Sequence, residues 1–147
     1  MDPEVPVLSV IDLGIIREIK NDPATGNWEI IITPTYSGCP AMDVIKMTIR
    51  LALLQNGLKN VIITQQLSPA WTTDWMSEQG KEKLQAYGIA APAGKIAVLK
   101  NLEDPEVKCP LCHSINNRLI SQFGSTACKA LYQCLDCKEP FDYFKCH

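Results

Sequence analysis

Thr35-Tyr36-Ser37-Gly38-Cys39-Pro40-Ala41-Met42-Asp43 is the stretch that decides the fold of the first hundred residues. Before it, Trp28 to Thr33 (WEIIIT) reads as a β-strand, stopped by Pro34, which has no N–H to give to a ladder. After it, between Ala41 and Gln55, Val44, Met47, Leu51 and Leu54 recur at helical spacing. Ile45, Ile49 and Ala52 widen that apolar set, so the pattern predicts a largely buried helix. The stretch is therefore a strand-to-helix turn. Pro40 suits the first helical turn, where its missing N–H would be unpaired anyway. Cys39 then sits at or near the helix N-cap, where unpaired N–H groups and the positive end of the dipole would favour a thiolate. Gly38 lets the backbone come close to a ligand or partner. A thiolate there could serve as a nucleophile or a soft metal ligand; the alternative is a buried structural cysteine. Asp12 and Asp43 could face the same site, although pattern alone reads each as a cap or a solvated carboxylate.

Working outward, Gly14 to Lys20 (GIIREIK) is a second β-rich run, joined to Trp28–Thr33 through the turn-forming residues Asn21 to Asn27. The pair predicts an antiparallel hairpin with a long loop. Gly57 is placed to cap the helix, and Asn60 to Gln66 (NVIITQQ) predicts a third strand. Ser77 to Tyr87 predicts a second helix with Ser77 as N-cap and Gly88 past its end. The order strand, strand, helix, strand, helix gives an α/β (α+β) fold, a small mixed-sheet sandwich with two main helices.

The other end of the chain is organised by sulfur. Six of the seven cysteines, Cys109, Cys112, Cys128, Cys134, Cys137 and Cys146, lie in the last thirty-nine residues. Cys109-Pro110-Leu111-Cys112 and Cys134-Leu135-Asp136-Cys137 are two CxxC pairs with 21 residues between them. In each pair a tight turn aims two thiolates at one ion, and two pairs complete a closed tetrahedral S4 set of the structural kind. Arg118 to Phe123 and Ala130 to Gln133 supply β-rich runs between them, as a zinc ribbon requires. A piece this short cannot bury enough core alone, so a metal clip is physically motivated. Zinc is the expected ion; S4 ligation alone also accommodates iron. Cys128, Cys146, His113 and His147 remain as spare ligands, with His113 read as a solvated loop residue and the terminal pair as frayed. Phe141, Tyr143 and Phe144 either pack the ribbon core or form an exposed aromatic patch.

Composition sets the limits. The chain has 147 residues, 46% hydrophobic, with a formal net charge of −2, which is globular composition. Residues 1–107 carry 9 basic against 13 acidic side chains, and residues 108–147 carry 5 against 3. With the charged, proline-containing Leu102-Glu103-Asp104-Pro105-Glu106, this divides the chain into modules 1–104 and 105–147. A balance this close to neutral argues against nucleic acid as a partner. No apolar run reaches the roughly 18 residues of a membrane span, and no secretory signal is visible, so a cytoplasmic location with reduced thiols is expected.

Taken together these residues resemble known families. Asp2-Pro3-Glu4-Val5-Pro6, Asp12-Leu13-Gly14 and Thr35-Tyr36-Ser37-Gly38-Cys39-Pro40 resemble the SufT-like family of iron–sulfur assembly domains. Over nearly its whole length the chain resembles the PaaD (PaaJ) family, encoded with the bacterial phenylacetyl-CoA monooxygenase complex. The supports for that are Pro69 to Trp75, Tyr87 to Ala90, the two CxxC pairs, Phe123 to Lys129 and Cys134 to Phe141. The resemblance implies an accessory protein that assists iron–sulfur cluster delivery or metal-centre maturation, not the oxygenase itself. It implies that Cys39 is the functional cysteine, that Asp12 is the acidic position of the DLG motif, and that Cys109, Cys112, Cys134 and Cys137 hold the ribbon's zinc. It implies as client the monooxygenase complex, with its diiron oxygenase and iron–sulfur reductase.

Three functions follow as expectations. In the first, a maturation factor, Cys39 binds a transient iron–sulfur cluster or iron, or contacts a partner thiol. One cysteine supplies one ligand where a cluster usually takes four, so a homodimer, a partner or a small thiol must complete the shell. In the second, a non-catalytic adaptor, the ribbon and the helical face dock oxygenase components and Cys39 is structural. The third is a thiol enzyme with Cys39 as nucleophile, which lacks a nearby histidine in its own module.

Overall fold

The computed structural model describes residues 1–92 and 106–145, and they pack as two compact units, Met1–Trp71 and Thr72–His147. The boundary expected between 104 and 105 adjoins residues 93–105, and it lies outside the described residues together with Cys146 and His147.

The first unit starts with two capped turns. Asp2 Oδ1 accepts the N–H groups of Glu4 (2.9 Å) and Val5 (2.8 Å), with Pro3 between them at the position that has no N–H to satisfy. Ser9 and Asp12 then form a reciprocal box. The Asp12 carboxylate accepts the Ser9 N–H at 2.9 Å and hydroxyl at 2.8 Å, and the Asp12 N–H returns to Ser9 Oγ at 3.0 Å. Leu13 follows, fully buried, and its carbonyl accepts the indole N–H of buried Trp71 at 2.8 Å. Gly14 ends the turn with φ 64, a conformation that costs other residues roughly 1 kcal/mol or more.

Strands β1 (Ile16–Asp22) and β2 (Asn27–Ile32) form the expected antiparallel hairpin, and β3 (Val61–Gln65) adds to β2 in parallel, giving the order β1-β2-β3. A parallel neighbour needs a crossover, and helix α1 (Met42–Gln55) supplies it. A two-bond closure ends α1: Gly57 at φ 85 donates to the Leu54 carbonyl at 3.0 Å and Leu58 donates to that of Leu53 at 3.0 Å.

The burial of α1 differs from the expectation. Met42, Ile45 and Ile49 face inward, whereas Val44, Met47, Leu51 and Leu54 are 54%, 58%, 51% and 43% exposed. Met42 and Val44, like Ile45 and Met47, lie about 200° apart on a helical wheel, so the helix is apolar on two opposite sides. Periodicity finds both stripes equally well. The unit's core of Val5, Leu8, Leu13, Ile15, Ile32 and Trp71 settles which one turns inward.

In the second unit, a short 3-10 turn (Thr73–Trp75) precedes α2 (Glu78–Ala86). Ser77 caps α2 as predicted, its hydroxyl accepting the Gly80 N–H at 2.9 Å, and Gly88 follows at φ 86. The ribbon sheet has the order β4-β7-β6-β5, from β4 (Ile89–Ala90), β5 (Asn117–Ser121), β6 (Lys129–Cys134) and β7 (Pro140–Phe144). β5, β6 and β7 are antiparallel neighbours, and β4 runs parallel to β7. Phe141, Tyr143 and Phe144 are buried, with Ala90, Val107, Ala130 and the sulfurs of Cys109 and Cys134 in the same core as Phe141 and Tyr143. The aromatic residues thus pack the ribbon and form no surface patch. Among the described residues no helix is long and apolar enough to cross a membrane.

Candidate metal centre and the solitary thiol

The two CxxC turns are built alike. In the first, the Cys109 N–H donates to the Ser114 carbonyl at 2.9 Å; in the second, the Cys134 N–H donates to the Glu139 carbonyl at 3.0 Å. Each loop therefore closes over the same number of residues. Each also passes through a left-handed residue just after its second cysteine, His113 at φ 61 and Lys138 at φ 67. Backbone amides point at the sulfurs from inside the turns. Cys112 accepts from Ser114 N–H, Cys134 from Asp136 and Cys137 N–H, and Cys137 from Glu139 N–H.

The sulfurs of Cys109, Cys112, Cys134 and Cys137 all lie within 4.8 Å of one another, with Cys109 to Cys137 at 3.8 Å and Cys112 to Cys134 at 3.5 Å. A tetrahedral zinc with Zn–S of about 2.3 Å has S···S edges of about 3.8 Å, so the donors and their spacing fit that ion. The thiols share protons unequally. Desolvation raises the Cys134 thiol, but the amides of Cys137 and Asp136 and the neighbouring thiols outweigh it and bring it down to about 7. The Glu139 amide favours the Cys137 thiolate, yet desolvation and the other three sulfurs push it up to about 12. Bound zinc would replace those protons and fasten the turns; four protein sulfurs fill its tetrahedral shell and leave no position for a substrate.

The spare ligands separate from this set. Cys128 is buried with its sulfur 3.0 Å from Thr126 Oγ1, and His113 is exposed, its Nδ1 3.5 Å from Gln85 Nε2. Neither belongs to the four-sulfur cluster.

Cys39 is half-buried on a loop of the first unit whose neighbouring residues Ser37, Gly38 and Pro40 are exposed. The helix N-cap is Ala41, two residues further on, so Cys39 lies near the helix terminus but ahead of the cap, and its surroundings oppose the thiolate expected there. Burial raises the thiol above its ordinary range, and the carboxylates of Glu4 and Asp2 add to that. The Ala41 N–H and Tyr36 hydroxyl hydrogen bonds oppose them without prevailing. The one Tyr36 hydroxyl proton is shared with Glu4 Oε1, 3.4 Å away, which ties the loop to the N-terminal turn. A thiol that holds its proton argues against an activated nucleophile. Asp43 is exposed and pairs with Lys46 at 3.7 Å, a solvated carboxylate as its pattern suggests. Asp12 is buried in its box with Ser9; the signal for that role is Ser9-Val10-Ile11-Asp12, a capping-box spacing in the sequence itself.

Comparisons with known proteins follow the same division. Residues 94–145 match the PaaD zinc beta ribbon domain, and residues 1–61 match the iron-sulfur cluster assembly protein domain. The chain is 52% identical over 145 residues to an Escherichia coli (strain K12) protein named as a subunit of a "Putative 1,2-phenylacetyl-CoA epoxidase", covering 99% of this chain and 86% of that one. The crystal structure of a domain of unknown function, DUF59, from Bacillus anthracis superposes with a TM-score of 0.53 at 26% identity, over 57% of this chain and 79% of that one.

Proposed function

This chain belongs to the PaaD family of phenylacetyl-CoA epoxidase proteins, and from that membership we propose that it is a metal-centre maturation factor for a phenylacetyl-CoA epoxidase (monooxygenase) complex. In this reading the ribbon holds zinc permanently and does no chemistry. Cys39 makes the working contact, as a transient ligand to iron or an iron–sulfur cluster, or to a thiol of the client. Asp12 serves the same unit by keeping the Ser9–Gly14 turn closed.

The observation that carries the reading is the separation of the sulfurs. Among the described residues, Cys39 is the only thiol outside the tetrad that is not buried. A thiol that its surroundings keep protonated suits a ligand that exchanges: it gives up the proton when it binds a cation and recovers it when the cargo leaves. One sulfur cannot complete a cluster's shell, so the client or a second copy supplies the rest.

The test is to produce the client complex with the wild-type chain or with Cys39→Ser and measure the client's iron content and its binding to this chain. The maturation reading expects several-fold less iron with binding retained. Unchanged client iron would sink it in favour of an adaptor, a reading that the exposed Val44, Met47, Leu51 and Leu54 stripe specifically supports.

A further inference from the structure

The two CxxC turns are joined by side chains that no sulfur chemistry requires. Ser114 follows the first turn and Asp136 lies inside the second. The Ser114 hydroxyl donates to Asp136 Oδ2, and Asn116 Nδ2 donates to Asp136 Oδ1 at 3.0 Å. The Asn116 N–H returns to Ser114 Oγ at 3.0 Å, and the Leu135 N–H donates to the Asn116 carbonyl at 2.8 Å. Three hydrogen bonds thus cross from 114–116 to 135–136. Both residues of the Ser114–Asp136 link are among those whose own amides reach the sulfurs: Ser114 N–H to Cys112, and Asp136 N–H to Cys134. A shift of one turn against the other would therefore move an amide off a sulfur in both.

We propose that Asp136 is a positioning residue of the metal centre, which sets the spacing of the two cysteine turns by clamping Ser114 and Asn116. Its charge cannot be the reason for its presence. Four thiolates around a divalent ion already carry a net negative charge, and a further carboxylate beside them disfavours the thiolate forms. What the position needs is two acceptor oxygens for two donors that come from one side. An amide offers only one oxygen and sets an N–H against the other donor. The inference stands on the ribbon's geometry and is independent of what Cys39 does.

The experiment uses the full chain and zinc alone, with affinity read by competition against a chromophoric chelator, and cobalt(II) as a spectroscopic stand-in. Positioning predicts that Asp136→Asn weakens zinc binding about tenfold and disturbs the cobalt ligand-field bands. Ser114→Ala should weaken it likewise, and the effect of the double variant Ser114→Ala with Asp136→Asn should be much less than the product of the two. Ser114→Thr, which keeps the hydroxyl, should restore tight binding and the wild-type spectrum even if the alanine variant folds poorly. A charge role predicts the opposite sign: Asp136→Asn would bind zinc as tightly as wild type or more tightly. That outcome, or additive single variants, overturns the proposal.

Discussion

The ribbon gathers four sulfurs around one point, and the loop between β2 and α1 keeps a single sulfur among a phenol and two carboxylates. The side chains are the same, yet their surroundings work in opposite directions. In the ribbon, amides from both turns point at the sulfurs, and the thiols lean on one another so that one gives up its proton near neutrality while another holds it. At Cys39, burial and the acidic pair Glu4 and Asp2 work against ionisation, and the single Ala41 amide does not reverse them. A cysteine's role is set by how many donors converge on it more than by its closeness to a helix terminus.

The comparison breaks most visibly when metal is removed. Chelation of zinc should unfold β5, β6 and β7, a loss of several kcal/mol because metal-binding free energy is folding free energy in a domain this small, while the β1–β3 sheet keeps its structure. Amide exchange or resolved NMR signals from both sheets would check this; equal protection in the ribbon with and without metal would show that its apolar core suffices. The same site should gain zinc affinity as pH rises from about 6 to 9, since thiol protons compete with the ion. The Cys134 thiol near 7 and the Cys137 thiol near 12 place that competition at and above neutrality.

A smaller effect tests what holds the solitary thiol's unit together. Asp12→Ala removes the box with Ser9 and should cost about 1–2 kcal/mol, read as a lowered melting temperature. On the proposed maturation reading, any change in the client's iron content should follow the stability loss. A variant that matures the client poorly at full stability would instead give Asp12 a direct contact.

The smallest effect sharpens the electrostatic side. Glu4→Gln deletes one of the negative charges that raise the Cys39 thiol, so the thiol should ionise more readily and alkylation near pH 8 should quicken. An alkylation profile identical to wild type would remove Glu4 from the environment of Cys39.

Much of this is legible in the chain. Pro34 and Pro40 bracket the strand-to-helix turn, Ser77 and Gly88 bound α2, and the CxxC spacing brings its four sulfurs together. Three things are not. The apolar stripe at Val44 reads as core because a helix greasy on both sides has no single phase, and only the sheet it packs on chooses one. The strand Pro140–Phe144 is hidden because its residues read as a cluster of aromatics before they read as alternation, and Pro140 weakens a strand assignment. The thiol's acidity is misjudged from sequence because closeness to α1 is visible there, while the approach of the N-terminal acids, some thirty-five residues earlier, is not.

Helix α1 has a practical consequence of its own. Its wetted Val44–Leu54 side leaves hydrocarbon against solvent with no covering partner within the chain's described residues. Concentrated samples will cluster through that flank, and light scattering that climbs with protein concentration but subsides in a Met47→Lys, Leu51→Lys variant would trace the clustering to this one surface.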